Sequence, residues 1–506
     1  MNLADNLVSA AERFGERTAL RLDDNTVTYA EFLEQALAAA GLVRSLGVEP
    51  GDRIALVSPN VPAYPIVFYG ALLAGCAVVP MNPLLSVREM GYYFTDSGAK
   101  AIFVVEVAET VTKAAAEQGV RVVIVGPTGP SAEQLDGIIP LTAPVPRTGS
   151  DIATILYTSG TTGQPKGALL THDNMASNAR TSATALIEAT PDDIVMGCLP
   201  LFHVFGLTCG LNAAVTSGMS LALLPRFDPA KALELIAKYH VTIFEGVPTM
   251  YAAMLATPGD HDTSSLRTCL SGGSAMPVQV MREFEDRCGC QILEGYGLSE
   301  TSPVASFNQP GRERKPGTIG TAVPGMAMML IDDDGNPSKP GAIGEIAIKG
   351  DGVMAGYHGK PEATAEAIVD GWFRSGDLAV VDDEGYFTIV DRKKQLIIRG
   401  GYNVYPREVE EALYEHPSVA EAAVVGIPHP TLGEEIGAAV AVKKGATFDP
   451  EALTAFVKER VAAYKYPRHI WQVEALPKGP TGKILHRSIS APEAAGNTVP
   501  TAPVEA

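Results

Sequence analysis

Short apolar segments alternate with helical segments along the first part of the chain, and this alternation restricts the fold more than any other feature. Helical periodicity over residues 29–46 ends at Gly47, and residues 53–57 then form an extended apolar run. Further strands are predicted at 77–80, 101–105, 241–245, 266–271 and 291–294, with helices near 66–74 and 86–96. Strands that alternate with helices at this spacing predict a wound, mostly parallel α/β sheet.

The length and the change of texture along the chain indicate more than one domain. A chain of 506 residues exceeds what one hydrophobic core normally holds, and its 46% apolar and 19% charged residues are typical of folded proteins. We predict a large N-terminal domain (1–391) of wound α/β subdomains, joined by the Pro/Gly/Thr-rich segment 126–150, plus a β-rich subdomain from about 319. A small α+β domain (392–488) and a disordered Ala/Pro/Thr/Glu-rich tail (489–506) follow.

A glycine- and hydroxyl-rich segment, TSGTTGQPKG at 158–167, follows a predicted strand at 152–157. A strand that feeds such a turn gathers backbone N–H groups and hydroxyls around an anionic ligand. A flexible linker is the alternative, but the segment runs directly into an apolar stretch. The spacing is not that of a Walker loop, because Lys166 is followed by Gly167. The segment therefore predicts a nucleoside triphosphate held in a different fold.

Charge and cysteine content exclude several classes of protein. The net charge of −19 argues against nucleic acid or an anionic membrane surface as the main partner. Six irregularly spaced cysteines indicate thiols of a reducing compartment rather than disulfides or a zinc site. Prolines and glycines interrupt the most apolar stretch, 61–81, so we expect a buried helix that runs into a strand rather than a membrane span. We expect a cytoplasmic protein without a signal peptide or integral membrane segment. A homodimer is one of the assemblies that the sequence allows.

Five motifs occur in order along the chain, and together they carry a family resemblance. They are TSGTTGQPKG (158–167), GYGLSE (295–300), SGD (375–377), DRKK (391–394) and PTGK (480–483). The set resembles the adenylate-forming superfamily of acyl-CoA synthetases, firefly luciferase and peptide-synthetase adenylation domains. The resemblance implies a large N-terminal domain and a small mobile C-terminal domain with the active site between them. It also implies two steps: a carboxylate attacks the α-phosphate of ATP to give acyl-adenylate and pyrophosphate, and a thiol then displaces AMP.

The resemblance implies ATP, Mg²⁺ and CoA as ligands and assigns residues to them. The implied ATP- and AMP-binding residues are Thr158, Ser159, Gly160, Thr161, Thr162, Lys166, Gly273, Ser274, Glu294, Gly295, Tyr296, Gly297, Ser299, Asp377 and Arg392. Glu300 would bind Mg²⁺, a hard oxygen for a hard cation, unless it only forms an ion pair. Asp377 would bind the ribose hydroxyls beside Arg392, unless it only caps a turn. Most relatives have Thr where Ser299 stands, and the hydroxyl is kept.

The catalytic residues implied by the resemblance are Lys483, His203 and Glu300. Lys483 matches the lysine of the adenylation step, and His203 matches a gating histidine, although it could also be a core histidine. Lys394 would be the hinge about which the small domain rotates. The segment Gly400-Gly401-Tyr402 would bind CoA, since a narrow pantetheine tunnel leaves no room for side chains. Several aryl-CoA ligases have a lysine where this chain has Ile398.

The acyl pocket implied by the resemblance is formed by Phe205, Val247, Gly295 and Gly297. Acetate-selective relatives have a tryptophan at the place of Gly297, and malonate-selective ones an arginine at the place of Gly295. We therefore expect an open pocket for a small-molecule monocarboxylic acid. The wider sequence around these motifs is most like that of bacterial medium- and long-chain fatty acid:CoA ligases. A cinnamate-type aryl acid is the nearest alternative, and loading of a carrier protein in trans stays open. A nucleotide-binding protein without chemistry is disfavoured because the motif residues for catalysis are all present.

Overall fold

The computed structural model describes residues 2–105, 109–158, 164–393, 395–479 and 482–492. The α-helices are α1 Asp5–Phe14, α2 Tyr29–Ser45, α3 Ala63–Leu73, α4 Val87–Ser97, α5 Glu109–Gln118, α6 Ala132–Leu135, α7 His172–Thr181, α8 Ala213–Ser217, α9 Pro229–Tyr239, α10 Pro248–Ala256, α11 Val278–Cys288, α12 Pro361–Ala367, α13 Pro406–Tyr414 and α14 Pro450–Lys458. Segments Ser182–Leu186 and Gly206–Asn212 are π-helical, and Ser299–Thr301 and His486–Ser488 are 3₁₀ turns.

The strands are β1 Thr18–Leu22, β2 Asn25–Thr28, β3 Arg53–Val57, β4 Ala77–Met81, β5 Ala101–Val105, β6 Arg121–Val125, β7 Ile152–Thr158, β8 Lys166–Thr171, β9 Ile194–Gly197, β10 Ser220–Leu223, β11 Ile243–Gly246, β12 Thr268–Ser271, β13 Gln291–Gly297, β14 Val304–Phe307, β15 Thr321–Ala322, β16 Met326–Ile331, β17 Gly344–Gly350, β18 Gly356–Tyr357, β19 Ile368–Val369, β20 Trp372–Val381, β21 Phe387–Arg392, β22 Ile397–Arg399, β23 Tyr402–Val404, β24 Val419–His429, β25 Gly433–Val442 and β26 His469–Gln472.

The first sheet confirms the predicted wound α/β architecture. Its order is β18-β8-β7-β4-β3-β5-β6. The strands from β7 to β6 pair in parallel, and β8 and β18 add antiparallel pairs at one end. Strands β6 and β7 belong to one sheet, so residues 126–150 connect two strands of that sheet. The prediction that this segment joins two subdomains is therefore wrong. The Pro/Gly-rich composition indicates a break in regular structure, but it does not show to which sheet the strands before and after the segment belong.

The second sheet has the order β15-β14-β13-β12-β11-β9-β10-β1-β2. Its central strands are parallel, and the register aligns the ends of β11, β12 and β13, since Gly246 pairs with Ser271 and Ser271 with Glu294. Strand β13 continues three residues beyond the predicted end at 294, to Gly297, because Gly295 pairs antiparallel with Phe307 of β14. Ligands of open α/β sheets bind at such carboxyl ends.

The most apolar segment of the chain, residues 61–81, lies in the core of the first sheet. Every residue of α3 is buried, and this helix leads into β4, as expected for residues 61–81. The ring of Tyr69 on α3 meets the ring of Phe32 on α2 edge to face, with centroids 5.6 Å apart. Each such buried side chain stabilises the fold by roughly 1.5–3 kcal/mol. Across the described ranges, no helix combines the length and apolarity that a membrane span requires.

Two further sheets form the β-rich part and the C-terminal part. One has the order β16-β17-β20-β19 with β21 beside β20, and the other has the order β23-β22-β25-β24 with β26 beside β25. Helices α13 and α14 contribute Val409, Leu413, Leu453 and Val457 to an apolar core with the last sheet.

The chain forms two compact units. The first contains residues up to 276, 283–329 and 347–375, and the second contains 277–282, 330–346 and 376 onward. The boundary at 391 predicted from the sequence stays a prediction. The predicted tail at 489–506 is described only over 489–492.

Candidate active site

The two ends of the predicted phosphate loop are fixed on neighbouring strands. Strands β7 and β8 pair antiparallel, and Thr158, the last residue of β7, is in register with Lys166, the first residue of β8. The predicted phosphate ligands Ser159, Gly160, Thr161 and Thr162 lie outside the described residues.

Beside this loop, three predicted site residues come together in the first unit. The Thr158 hydroxyl donates to Oε1 of Glu300 over 3.3 Å, and the Glu300 side chain is buried. The Tyr357 hydroxyl donates to the same oxygen over 2.9 Å. The ammonium group of Lys166 lies 5.1 Å from the centroid of the Tyr357 ring, within reach of a cation–π interaction. A carboxylate, a hydroxyl and a lysine thus meet at the mouth of the loop.

Tyr357 was missed by the sequence analysis. Strand β18 pairs with β8 so that Tyr357 is opposite Ala168, and the His358 N–H donates to the Gly167 carbonyl over 2.8 Å. Burial and the Glu300 carboxylate raise the pKa of the Tyr357 hydroxyl above its ordinary value, so the hydroxyl remains a donor. In the sequence, Tyr357 is distinguished only as an aromatic residue that follows a glycine. In the structure, that glycine, Gly356, has a φ of 144°, a value that favours glycine.

Helix α4 holds the residues on both sides of the loop. The Tyr92 hydroxyl donates to the carbonyl of Pro165 over 2.9 Å, and the Tyr157 hydroxyl donates to Oδ2 of Asp96 over 2.7 Å. The rings of Tyr93 and Tyr157 stack with centroids 4.1 Å apart. These contacts were not predicted either, because no periodicity links a helix at 87–97 to a loop at 158–167. They fix both ends of the loop to α4.

The segment at the end of β13 is held by backbone contacts. Oε1 of Glu294 accepts from the Met276 N–H over 2.9 Å. A side chain at Gly295 would overlap the ring of Phe307, and one at Gly297 would overlap the carbonyl of Pro303. Packing alone therefore accounts for both glycines, and their role in keeping the acyl pocket open stays a prediction. Tyr296 lies between them, and Ser299 begins the 3₁₀ turn that carries Glu300.

Predicted acyl-pocket residues meet a predicted nucleotide-binding turn in the first unit. Cε1 of Phe205 lies 3.1 Å from the position that a Cβ atom would take at Gly272, and Cγ1 of Val247 lies 3.4 Å from that position at Gly273. Both side chains are buried. Gly273 has a φ of 80°, which favours glycine and turns the chain toward Ser274. The arrangement is a wall of apolar side chains against a narrow glycine turn.

The predicted gating histidine begins the segment that carries Phe205. His203 is partly buried, and its Nδ1 accepts from the Phe205 N–H over 3.3 Å, while its carbonyl accepts from the Leu207 N–H. The position of the ring is set by the start of the π-helix Gly206–Asn212.

The second unit contains the other charged residues of the prediction. Asp377 on β20 and Arg392 on β21 are in register, and the Arg392 Nε lies 2.9 Å from Oδ1 of the buried Asp377. Burial and the positive charge of Arg392 lower the pKa of Lys483 to about 8, while Asp377 opposes this shift. The predicted ribose ligand, its cationic neighbour and the predicted catalytic lysine are thus brought into electrostatic contact.

Neighbouring contacts hold the segment that carries Lys483. The Gly479 N–H donates to the Lys483 carbonyl over 2.7 Å. Nε2 of His486 lies 2.8 Å from Oε1 of Glu410 on α13, and this carboxylate raises the pKa of His486 against the effect of burial. This contact between His486 and Glu410, three residues after Lys483, therefore ties the Lys483 segment to α13 of the C-terminal core.

The predicted CoA segment is a tight hairpin turn. Gly400 and Gly401 lie between β22 and β23 with φ values of 57° and 86°, and Arg399 pairs with Tyr402 across them. Two-residue hairpin turns with positive φ at both positions strongly favour glycine. Tyr402 is exposed and its ring contacts Tyr464, with centroids 4.8 Å apart. The predicted hinge Lys394 lies outside the described residues.

Comparison with known proteins defines the class. Residues 7–358 match the AMP-binding enzyme family, and residues 408–483 match the C-terminal domain of AMP-binding enzymes. The chain belongs to this family and is an enzyme of its AMP-forming acyl-CoA ligase group, which confirms the resemblance found in the motifs.

Individual relatives act on different acids. A long-chain-fatty-acid–CoA ligase of Bacillus subtilis is 38% identical, covering 96% of this chain and 93% of the relative. A feruloyl-CoA synthase of Amycolatopsis is 39% identical, covering 92% of this chain and 94% of the relative. Among solved structures, ATP-bound MatB of Rhodopseudomonas palustris superposes with a TM-score of 0.89 at 33% identity, covering 96% of this chain and 97% of that one. A benzoate CoA ligase of Burkholderia xenovorans superposes with a TM-score of 0.89 at 33% identity, covering 96% of this chain and 98% of that one.

Proposed function

We propose that this enzyme converts a monocarboxylic acid with an extended apolar body, above all a medium- or long-chain fatty acid, to its CoA thioester. The carboxylate displaces pyrophosphate from ATP to give acyl-adenylate, and the CoA thiol then displaces AMP and releases its proton. The observation that carries this choice of acid is the buried apolar wall of Phe205 and Val247 against the turn at Gly272 and Gly273. Each methylene buried against such a wall contributes about 0.8 kcal/mol.

The contacts around Glu300 support the binding of Mg²⁺ and ATP in the first unit. A carboxylate is a hard oxygen ligand, and the Thr158 and Tyr357 hydroxyls hold one of its oxygens in place. Lys166 adds a positive charge at the loop that would take the β and γ phosphates. Mg²⁺, when bound, supplies positive charge that offsets the phosphates.

Lys483 is proposed to stabilise the charge that develops at the α-phosphate during adenylate formation. A preorganised cation is worth most where charge develops and water is excluded. Asp377 is proposed to bind the ribose hydroxyls, with its orientation set by Arg392. The glycine turn at Gly400 and Gly401 is proposed to bind the pantetheine arm of CoA, with Lys394 as the hinge.

A cinnamate-type aryl acid is the second candidate. The feruloyl-CoA synthase is as similar to this chain as the fatty acid ligase is, so overall identity does not select between them. The observation that favours the aryl acid is the ring of Phe205, whose face could stack on an aromatic substrate.

Competition between acids tests the proposal. The enzyme is incubated with ATP, Mg²⁺, CoA and equal concentrations of octanoate, dodecanoate, palmitate, cinnamate, benzoate and malonate, and the thioesters are quantified by mass spectrometry. Their initial ratios report relative kcat/KM. Dominance of one or more fatty acyl thioesters is expected. Dominance of cinnamoyl-CoA would select the second candidate, and dominance of benzoyl- or malonyl-CoA would contradict both.

A further inference from the structure

A fully buried glutamate, Glu245, lies on β11 and has no role in the sequence prediction. Its side chain is 1% exposed, and Oε1 has no hydrogen-bond partner in the described part of the chain. Buried polar groups in folded proteins are almost always paired, so each unpaired one requires an explanation. A carboxyl group is an expensive residue for a purely structural position of this kind.

The direction of the side chain follows from the alternation along β11. Phe244, the preceding residue, packs its ring edge to face on Tyr251 of α10, with centroids 5.1 Å apart. Successive side chains of a strand point to opposite faces, so Glu245 points away from α10. On that face, Oε2 lies 3.4 Å from the position that a Cβ atom would take at Gly210. Gly210 belongs to the π-helix Gly206–Asn212.

Burial favours the neutral form of this carboxyl group, because it raises the pKa of Glu245 to about 8. Burial and the nearby Glu245 also raise the pKa of the thiols of Cys198 and Cys209. A neutral carboxyl group both donates and accepts a hydrogen bond, so it can pair with a hydroxyl.

Two elements connect Glu245 with the proposed acyl pocket. Val247 directly follows Gly246, the last residue of β11, and the π-helix begins directly after Phe205. Single π-helical turns occur frequently at functional sites. A Cβ atom at Gly210 would lie in ordinary van der Waals contact with Oε2 of Glu245, so the carboxyl group faces the π-helix directly.

We propose that Glu245 is a specificity-determining residue whose carboxyl group hydrogen-bonds a hydroxyl on the hydrocarbon part of the acid substrate. The enzyme then prefers hydroxylated acids to their unsubstituted counterparts, whether the hydroxyl is on an alkyl chain or on an aromatic ring. The inference rests on the proposed function and narrows its substrate class. Sites built to hydrogen-bond a substrate hydroxyl discriminate strongly against the analogue without it, because a buried polar group is then left unpaired.

Paired competitions test the inference. The wild type, Glu245→Met, Glu245→Gln and the surface control Glu234→Gln are each given 12-hydroxydodecanoate with dodecanoate, and 4-hydroxycinnamate with cinnamate, together with ATP, Mg²⁺ and CoA. The wild type and the control are expected to favour the hydroxylated member of at least one pair by 10-fold or more. Glu245→Met is expected to reduce the ratio to about 1 or to invert it, and Glu245→Gln to retain part of the preference. The pair that responds identifies the source of the hydroxyl.

Equal ratios in the wild type and Glu245→Met would overturn the inference and leave the proposed function intact. If Glu245→Met does not fold, the ratio measured with Glu245→Gln decides: a ratio equal to that of the wild type overturns the inference, and a reduced one supports it. Absence of every thioester with all four proteins would contradict the proposed function, and the inference with it. A gain in thermal stability of Glu245→Met with unchanged ratios would assign Glu245 to an internal water site instead.

Discussion

The Tyr357 hydroxyl and Oε1 of Glu300 are 2.9 Å apart, and the same oxygen accepts from Thr158. The two hydroxyls hold the buried Glu300 carboxylate in a fixed orientation. The ring of the same tyrosine lies 5.1 Å from the Lys166 ammonium group. Tyr357 thus connects the proposed metal ligand with the lysine of the phosphate loop.

Removal of the Tyr357 hydroxyl is expected to weaken the use of Mg·ATP. Tyr357→Phe keeps the ring beside Lys166 but removes one hydrogen bond to the carboxylate, an interaction worth about 1.5–3 kcal/mol. We expect kcat/KM for Mg·ATP to fall roughly 10-fold or more in acid-dependent ATP–pyrophosphate exchange, with a higher Mg²⁺ requirement. The control is Tyr239→Phe, whose hydroxyl contacts Asp23 on the surface. Unchanged Mg²⁺ dependence in Tyr357→Phe would argue against the proposed role of Glu300.

Lys483 is expected to separate the two half-reactions. Lys483→Ala should lower adenylate formation by roughly 10²-fold or more, the scale for the loss of one preorganised charge. Thioester formation from a supplied acyl-adenylate should remain, because the α-phosphate is no longer attacked in that step. Single-turnover assays of each step provide the measurement. Equal losses in both would show that Lys483 is not specific to the first step.

The pH dependence of adenylate formation is expected to report the pKa of Lys483. Burial and Arg392 lower this pKa from 10.5 to about 8, so the cation is present below pH 8 and is lost as the pH rises above it. We predict that kcat/KM for ATP declines on the alkaline side with a midpoint near 8. Lys483→Arg, which stays charged, should lose this alkaline decline whatever its absolute rate. An identical decline in both proteins would assign it to another group.

His172 is expected to make the fold sensitive to acid. Its ring is buried, and Nδ1 accepts from the Leu3 N–H over 3.0 Å, an interaction that only a neutral ring allows. Burial lowers the pKa of His172 to about 4, below the ordinary value of 6.5. Since the unfolded chain binds the proton more tightly, the stabilisation is complete above pH 6.5 and is lost as the pH falls toward 4, by about 3 kcal/mol in total.

Urea unfolding of the wild type and His172→Asn at pH 7.5 and pH 5 measures this effect. The free energy of unfolding should fall with pH less steeply in His172→Asn than in the wild type. The surface substitution His261→Asn is the control and should follow the wild type. Parallel pH dependence in all three proteins would show that His172 titrates in the same way in the folded and unfolded chains.

Local sequence was sufficient to place several strands of the two α/β sheets. Strands β3 and β5 begin and end where predicted, because each is an apolar, β-branched run between clear breakers. The end of β13 was misjudged because Gly-Tyr-Gly has the composition of a turn, while pairing with β14 keeps it extended.

The candidate site was predicted only where motifs reach it. Thr158, Lys166 and Glu300 are motif residues, and the structure brings them together. Tyr357 and Glu245 belong to no motif, and their positions depend on strand pairing and on packing between segments distant in sequence. The buried Oε1 of Glu245, which has no hydrogen-bond partner among the described residues, can be recognised only in the folded chain.

The most direct test of the account follows the acyl group through both steps by mass spectrometry. The enzyme is mixed with ATP, Mg²⁺ and a fatty acid, first without CoA and then with it. The account predicts acyl-AMP and pyrophosphate in amounts equal to the enzyme without CoA, and conversion to acyl-CoA and AMP in equal amounts once CoA is added. Formation of ADP and phosphate, or acyl-AMP that persists with CoA and is consumed only by a phosphopantetheinylated carrier protein, would contradict it.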